Sequence, residues 1–265
     1  MYSTFQLAKK YFKYYLTASS SKGHGVHSPF VFDFIKQVKN DFKKYDCYHD
    51  IEKIRQQLLK DKTVIEVQDF GAGSTVIKAS KRRVDKMAAS SLKPKKFAQL
   101  LFRIVQYYKP NTIAELGTSF GITSAYLSSG QSQAKLYTLE GAAAIAAIAH
   151  QNFNTLGLNN VELLPGDFRD TLPQLLKKIP TVDLAFVDGN HKKIPTLQYF
   201  NQLLSHSTPA TILIFDDIHW SLQMEEAWEQ IKAHEAVTLS IDLFFIGIVF
   251  FKKEFKEKQH FTIRF

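Results

Sequence analysis

Two apolar runs of this chain end in carboxylates with a histidine close behind. "FVDGNHKK" closes one run with Asp188 and carries His191 and Lys192 three and four residues later, while "IFDDIHW" closes the next with Asp216 and Asp217. Carboxylates gathered in one place repel each other unless a proton or a cation intervenes. Oxygen-only donors such as Asp188, Asp216 and Asp217 suit a hard ion of the Mg²⁺ kind, which keeps waters or takes substrate oxygens in its remaining positions. A nearby imidazole can take a proton close to neutral pH, which makes His191 a candidate general base. The plainer role for His191 is to cap the helix beginning "KKIPTL". His219 and Trp220, just beyond Asp217, are candidate walls of a substrate pocket, and Trp220 serves a core equally well.

A second chemical feature is a pair of glycine loops. A loop that holds a nucleotide or nucleoside follows an apolar strand and opens a helix, and the next strand ends in a carboxylate about 20 residues on, ready for ribose hydroxyls. "DFGAGS", residues 69 to 74, does not meet this pattern, because the basic stretch "TVIKASKRRVDKMAASS" follows it; it reads as a turn or hairpin. "TIAELGTSFGITSAYLS" does: an apolar strand reaches Glu115, Gly117 and Gly121 bracket a turn, and "KLYTLE" delivers Glu140, 23 residues after Gly117. The glycine spacing is G-x-x-x-G. That lacks the middle glycine a pyrophosphate needs, and suits a ligand with a ribose and no phosphate.

These residues need elements to hold them. From residue 94 onward strands and helices alternate: "TIAELG", "KLYTLE", "VELLPG", "VDLAFVD" and "TILIFD" are short apolar runs separated by helical segments. That alternation predicts a parallel, doubly wound α/β sheet with helices on both faces. "AVTLSIDLFFIGIVFFK" has no room for a helix, so its two strands should pair antiparallel, joined at Gly247. Residues 1–93 read as a mainly helical, basic extension and 94–265 as the catalytic domain. Ser28 and Pro29 stand as N-cap and first helical residue of "SPFVFDFIKQVKNDFKK".

In order and spacing these motifs resemble the class I S-adenosylmethionine-dependent methyltransferases, over roughly residues 94 to 252. The resemblance implies a Rossmann-like, seven-stranded sheet with an antiparallel last strand pair. It places Glu115, Gly117, Thr118, Ser119 and Gly121 around the methionine end of the cofactor and Glu140 on the ribose. In "GDFRDTL" it places Asp167 on the adenine amine and Phe168 beside the ring, although Asp167 also reads as a helix N-cap. Asp188 would close the cofactor site. The sheet-end aspartates are similar to those of the metal-dependent catechol and caffeoyl-CoA type O-methyltransferases, whose Asn is replaced here by Asp217. The catalytic lysine of that family falls at His191, with Lys192 beside it. The implied activity is O-methylation of a small-molecule hydroxyl, assisted by Mg²⁺ if the carboxylates hold it. Helices ahead of the first motif would then form the acceptor pocket and, in some members, a homodimer.

Charge and composition set the remaining expectations. Residues 1–110 hold 22 Lys and Arg against 9 Asp and Glu, whereas residues 111–265 hold 12 against 16. A basic half can attract nucleic acid, which keeps an RNA methyltransferase open as the alternative, yet the lysines are scattered rather than in a tract. A nicotinamide dehydrogenase and a non-catalytic nucleotide-binding module share the strand, loop and ribose acid; the missing middle glycine and the three aspartates speak against them. No apolar run of about 18 residues occurs, so no membrane span is expected. The N-terminus interleaves Lys9, Lys10 and Lys13 with aromatics and reads as a helix capping the next domain rather than as a membrane-surface helix. The single cysteine, Cys47, reads as a packed apolar residue, and His24 and His27 of "GHGVHSPF" as loop residues rather than metal ligands. The chain reads as cytoplasmic.

Overall fold

The computed structural model describes residues 1–23, 26–69 and 78–265. The chain forms two compact units, one of Met1–Asp41 with Pro180–Phe265 and one of Phe42–Ile179. His24 and the greater part of "DFGAGS", from Phe70 on, lie outside the described residues.

The first unit opens with α1 (Thr4–Thr17), started by a reciprocal pair of bonds between Ser3 and Gln6. Next comes α2 (Pro29–Asp33), with Pro29 at its start as expected, although Ser28 makes no side-chain capping bond. The helix runs on as a π-helical stretch, Phe34–Lys39. In the second unit α3 (Cys47–Leu58) leads to an antiparallel pair, β1 (Val64–Asp69) and β2 (Lys78–Arg83), and then to α4 (Val84–Ser91).

From α5 (Lys95–Tyr108) the alternation begins: β3 (Thr112–Leu116), α6 (Ile122–Gly130), β4 (Lys135–Glu140), α7 (Ala143–Thr155), β5 (Val161–Pro165) and α8 (Phe168–Lys178). The first unit resumes with β6 (Leu184–Val187), α9 (Lys193–Leu204), β7 (Ile212–Asp216) and α10 (Leu222–Ala233). It closes with β8 (Leu239–Asp242), β9 (Ile246–Phe250) and β10 (Gln259–Thr262).

Among the described residues the main sheet has eight strands, in the order β10-β8-β9-β7-β6-β3-β4-β5. β3, β4 and β5 pair in parallel, as do β6 and β7, while β9 runs antiparallel to both β7 and β8. The expected antiparallel last pair is therefore β8 and β9. The expected count of seven is corrected by β10, which lies parallel to β8 at the sheet edge. "QHFT" lacks an apolar run and buries only alternate side chains partly, so its strand character comes from backbone pairing that a hydrophobic pattern does not announce. Gly247 is a second correction. It lies inside β9 rather than at the turn, and a Cβ there would stand 2.7 Å from the Trp228 ring.

The central strands are buried on both faces, which is why they read as unbroken apolar runs: β6, β7 and β9 have no exposed residue. In the second unit one face of α5 presents Ala98 and Phe102 to a core with Ile51, Ile54 and Leu58 of α3 and Ile122, Ala125 and Tyr126 of α6. Full burial of such side chains stabilises the fold by roughly 1.5–3 kcal/mol each for the larger aliphatic and aromatic ones. These cores fix the strand ends from which the chemical side chains project.

Candidate functional site

In the second unit the turn after β3 is shaped by two glycines in the left-handed region, Gly117 at φ 107° and Gly121 at φ 81°. A Cβ on Gly121 would lie 2.5 Å from the Phe153 ring, so both the conformation and the space demand glycine. The N–H groups of Gly117 and Thr118 donate to the Leu139 carbonyl at 3.0 and 3.1 Å, which folds the loop onto the end of β4. Ser119, between them, adopts φ 48°, an uncommon state for a residue with a side chain. That strain turns its N–H to Glu140 Oε2 at 2.9 Å, while Ala142 N–H donates to Oε1 at 2.9 Å. Burial raises the Glu140 pKa, and the N–H groups of Ala142, Ser119 and Gly141 only partly offset it.

Glu115 is fully buried and holds the loop from beneath. Its Oε2 accepts from Ser124 Oγ and, at 2.6 Å, from Thr138 Oγ1, which in turn lies 2.6 Å from Thr118 Oγ1. Thr138 and Ser124 were not singled out by the sequence, because a hydroxyl on a buried strand or helix carries no motif. Asp167 caps α8, accepting from Arg169 N–H at 2.8 Å and pairing with the Arg169 guanidinium at 2.8 Å. That guanidinium holds the Asp167 carboxyl below its ordinary range despite partial desolvation. Phe168 is the first residue of the helix.

In the first unit Asp188 follows β6 and Asp216 is the last residue of β7. Asp188, His191 and Asp216 each offer a ligand atom, and these atoms lie within 4.8 Å of one another. His191 Nε2 stands 3.5 Å from Asp188 Oδ1, and its Nδ1 stands 3.9 Å from Asp217 Oδ2. The compact trio therefore contains His191, with Asp217 on the far side of the imidazole. Three residues of these turns hold positive φ without being glycine: Asn190 (63°), His191 (26°) and Asp217 (54°). Such strain persists only where surrounding structure enforces it, and it clusters at functional sites. α9 begins at Lys193 with Lys192 in the N-cap position, so His191 is not the cap; Lys192 is exposed at that helix start.

A further network was not legible in the sequence. His219 Nδ1 lies 3.0 Å from Glu225 Oε1 and its Nε2 lies 2.8 Å from Asp242 Oδ2. Burial alone would lower its pKa, but the bonds and charges of Asp242 and then Glu225 outweigh it and the net shift is upward. Glu225 also takes Tyr2 Oη at 2.6 Å and Lys10 Nζ at 3.0 Å, while Tyr2 N–H donates to the Trp220 carbonyl at 3.1 Å. His219 is thus committed to structure, and its partners are too far apart in sequence for spacing to show them. Cys47 is half-buried, and burial pushes its thiol up, away from nucleophile chemistry.

Residues 114–218 match the sequence profile of a methyltransferase-domain family. No curated protein matches the sequence. Among solved structures the chain is similar to the O-methyltransferase of Bacillus cereus in complex with SAH, at 21% identity and TM-score 0.56, over 81% of this chain and 95% of that one. It is also similar to the O-methyltransferase TomG of Streptomyces achromogenes with SAM, at 16% identity and TM-score 0.58, over 82% and 95%. A third likeness is to the SAH-bound methyltransferase PaMTH1 of Podospora anserina, at 14% identity and TM-score 0.60, over 96% and 98%. Likeness at these identities establishes the fold: the chain folds like these methyltransferases, and the profile match falls within that fold, on residues 114–218.

Proposed function

We propose that the chain is an S-adenosylmethionine-dependent O-methyltransferase of a small molecule. The observation that carries this reading is Glu140, a carboxylate at a strand end whose orientation is fixed by the Ser119 N–H of the glycine-bracketed loop and by the Ala142 N–H just beyond its own strand. A carboxylate offers about four acceptor positions, so lone pairs remain for a ribose diol. In this reading Gly117, Thr118, Ser119 and Gly121 line the methionine end, Glu115 stiffens them from below, and Asp167 and Phe168 take the adenine. The resemblance adds Asp188 to that set. S-adenosylmethionine supplies an electrophilic methyl group; the chain's part is to orient the acceptor oxygen and remove its proton.

The donor set of the first unit fits a divalent cation, since two carboxylates and an imidazole converge within 4.8 Å. The trio offers one nitrogen along with its oxygens, which moves the preference from Mg²⁺ toward an ion that accepts imidazole, such as Mn²⁺, Fe²⁺ or Zn²⁺. An all-oxygen set of Asp188, Asp216 and Asp217 would keep Mg²⁺ and leave His191 as the base. The two assignments exclude each other, because an imidazole nitrogen bound to a cation has no lone pair for a proton. A bound cation would lower the acceptor hydroxyl pKa; without one, His191 takes the proton, with Asp188 orienting the ring and Lys192 beside it.

The basic, aromatic residues 1–93 are proposed to form the acceptor-recognition cap, and a cytoplasmic setting accords with the lone cysteine. Calorimetric titration with S-adenosylmethionine tests the reading, in divalent ion and in EDTA. Micromolar affinity that Glu140→Ala abolishes is the expected outcome. Binding that survives Glu140→Ala, or no binding in either buffer, overturns it.

A further inference from the structure

One face of α1 is accounted for within its own unit. Tyr14 is buried with Ala18 against Phe244, Tyr11 meets the Phe244 ring edge-on at 5.1 Å, and Lys10 pairs with Glu225. The opposite face carries Phe5, Phe12 and Leu16, which are 80%, 63% and 61% exposed. At the helical repeat these three lie within about 40° of one another, in one line along the axis. Lys9 and Lys13, both exposed, flank that line on one side. Residues 1–32 contain Lys9, Lys10, Lys13 and Lys22 and no Asp or Glu.

Single exposed apolar side chains need no explanation, but an aligned aromatic and aliphatic stripe edged by lysines is the pattern of a helix that lies in a bilayer interface. Lysine stems extend along apolar surface and deliver their ammonium groups to headgroups above it. A second copy of the chain is a poorer occupant. An antiparallel two-fold pairing through this stripe would bring the Lys9 and Lys13 edges of both copies to the same side, and a parallel one would leave those lysines without an acidic partner on α1, which has no Asp or Glu, whereas anionic headgroups gain from the same charges.

We propose that α1 docks the protein on anionic lipid bilayers, with Phe5, Phe12 and Leu16 entering the headgroup boundary and Lys9 and Lys13 on the phosphates. Among the described residues no helix is long and apolar enough to cross a membrane, so the attachment is peripheral.

The test is flotation of the full-length protein with vesicles of phosphatidylcholine alone or mixed with phosphatidylglycerol. Co-flotation with the mixed vesicles that weakens in high salt is expected. Lys9→Gln with Lys13→Gln should lower partitioning roughly 25-fold, at about fivefold per lysine. Phe5→Ser with Phe12→Ser should abolish it while leaving the melting temperature unchanged, since both side chains are exposed. Failure to float with anionic vesicles overturns the proposal, as does flotation that neither double variant reduces. A concentration-dependent dimer that Phe5→Ser with Phe12→Ser dissolves, with no flotation, assigns the stripe to a second copy and overturns it equally.

Discussion

Glu115 and Glu140 of the second unit are met by hydroxyls and backbone N–H groups, whereas Asp188 and Asp216 of the first unit share their site with His191 and have Asp217 just beyond it. The first pair is charge-assisted at both carboxylates by donors that cost nothing to arrange once the loop is folded. In the proposed reading Glu140 has lone pairs left for ribose hydroxyls and needs no ion, while Glu115 supports the loop beneath it. The second group brings like charges together, and a cation or a proton on the imidazole would lessen their repulsion. If the two groups hold cofactor and cation as proposed, a divalent ion should matter to the second and be irrelevant to the first.

The sharpest way to break that comparison is to remove each acid in turn. Glu140→Ala should weaken S-adenosylmethionine binding at least about 100-fold, because the ribose donors lose a desolvated acceptor. EDTA should leave the wild-type affinity unchanged. A cofactor affinity that collapses in EDTA would show that the two sites are not independent in their need for an ion. Next in size, Asp216→Asn should lower turnover by on the order of 100-fold and weaken Mn²⁺ binding at least about tenfold by calorimetry, with cofactor affinity preserved. Loss of turnover without any change in Mn²⁺ binding would assign the site to proton transfer through His191 instead.

Much of this was legible in the sequence because it is local. The order of β3 to β9 follows from apolar run lengths, and Gly117, Gly121 and Glu140 follow from spacing within a single βαβ unit. What escaped is non-local or carries no hydrophobic signal. β10 adds to the edge by backbone pairing, with Gln259 N–H donating to Thr238 and Ile263 N–H to Asp242, and its polar side chains give no period. Thr138 and Ser124 support Glu115 through contacts that only the pleat and the helix face create. His219 draws partners from α10 and β8. Asp217 joins the metal acids in the sequence by its place at the strand end and by the resemblance; among the described residues the compact trio holds His191, with Asp217 Oδ2 3.9 Å from its Nδ1.

His219 sharpens the comparison from inside the first unit, since Asp242 and Glu225 show carboxylates whose compensating cation is already built in. Its pKa is raised in the fold, so the stability it contributes is fully present below its ordinary value near 6.5. That stability is lost as pH rises through the raised value. His219→Gln should cost roughly 2 kcal/mol at pH 6, the scale of a charge-assisted hydrogen bond. The deficit should shrink with rising pH in denaturant titrations. A deficit that stays constant from pH 6 to pH 9 would mean the imidazole is neutral in the fold and acts by shape alone.

Asp167 offers the smallest and most divisible effect, because one carboxylate is asked to do two things. As the N-cap of α8 its oxygen satisfies the Arg169 N–H, and losing that bond costs about 1 kcal/mol. The exposed Arg169 guanidinium adds little, being largely solvated. Asp167→Ala should therefore destabilise by about that amount, and Asp167→Asn, an equally good cap, by much less. If Asp167 also accepts from the adenine amine, both variants keep or lose cofactor affinity on a different schedule. Asn retains a carbonyl acceptor and should bind within a few-fold of wild type, while Ala should bind roughly tenfold more weakly, at about 1.4 kcal/mol for one bond. Equal cofactor affinity in Ala and wild type, with the stability loss intact, would leave Asp167 as a cap and confine the ligand-facing acids of the second unit to Glu140.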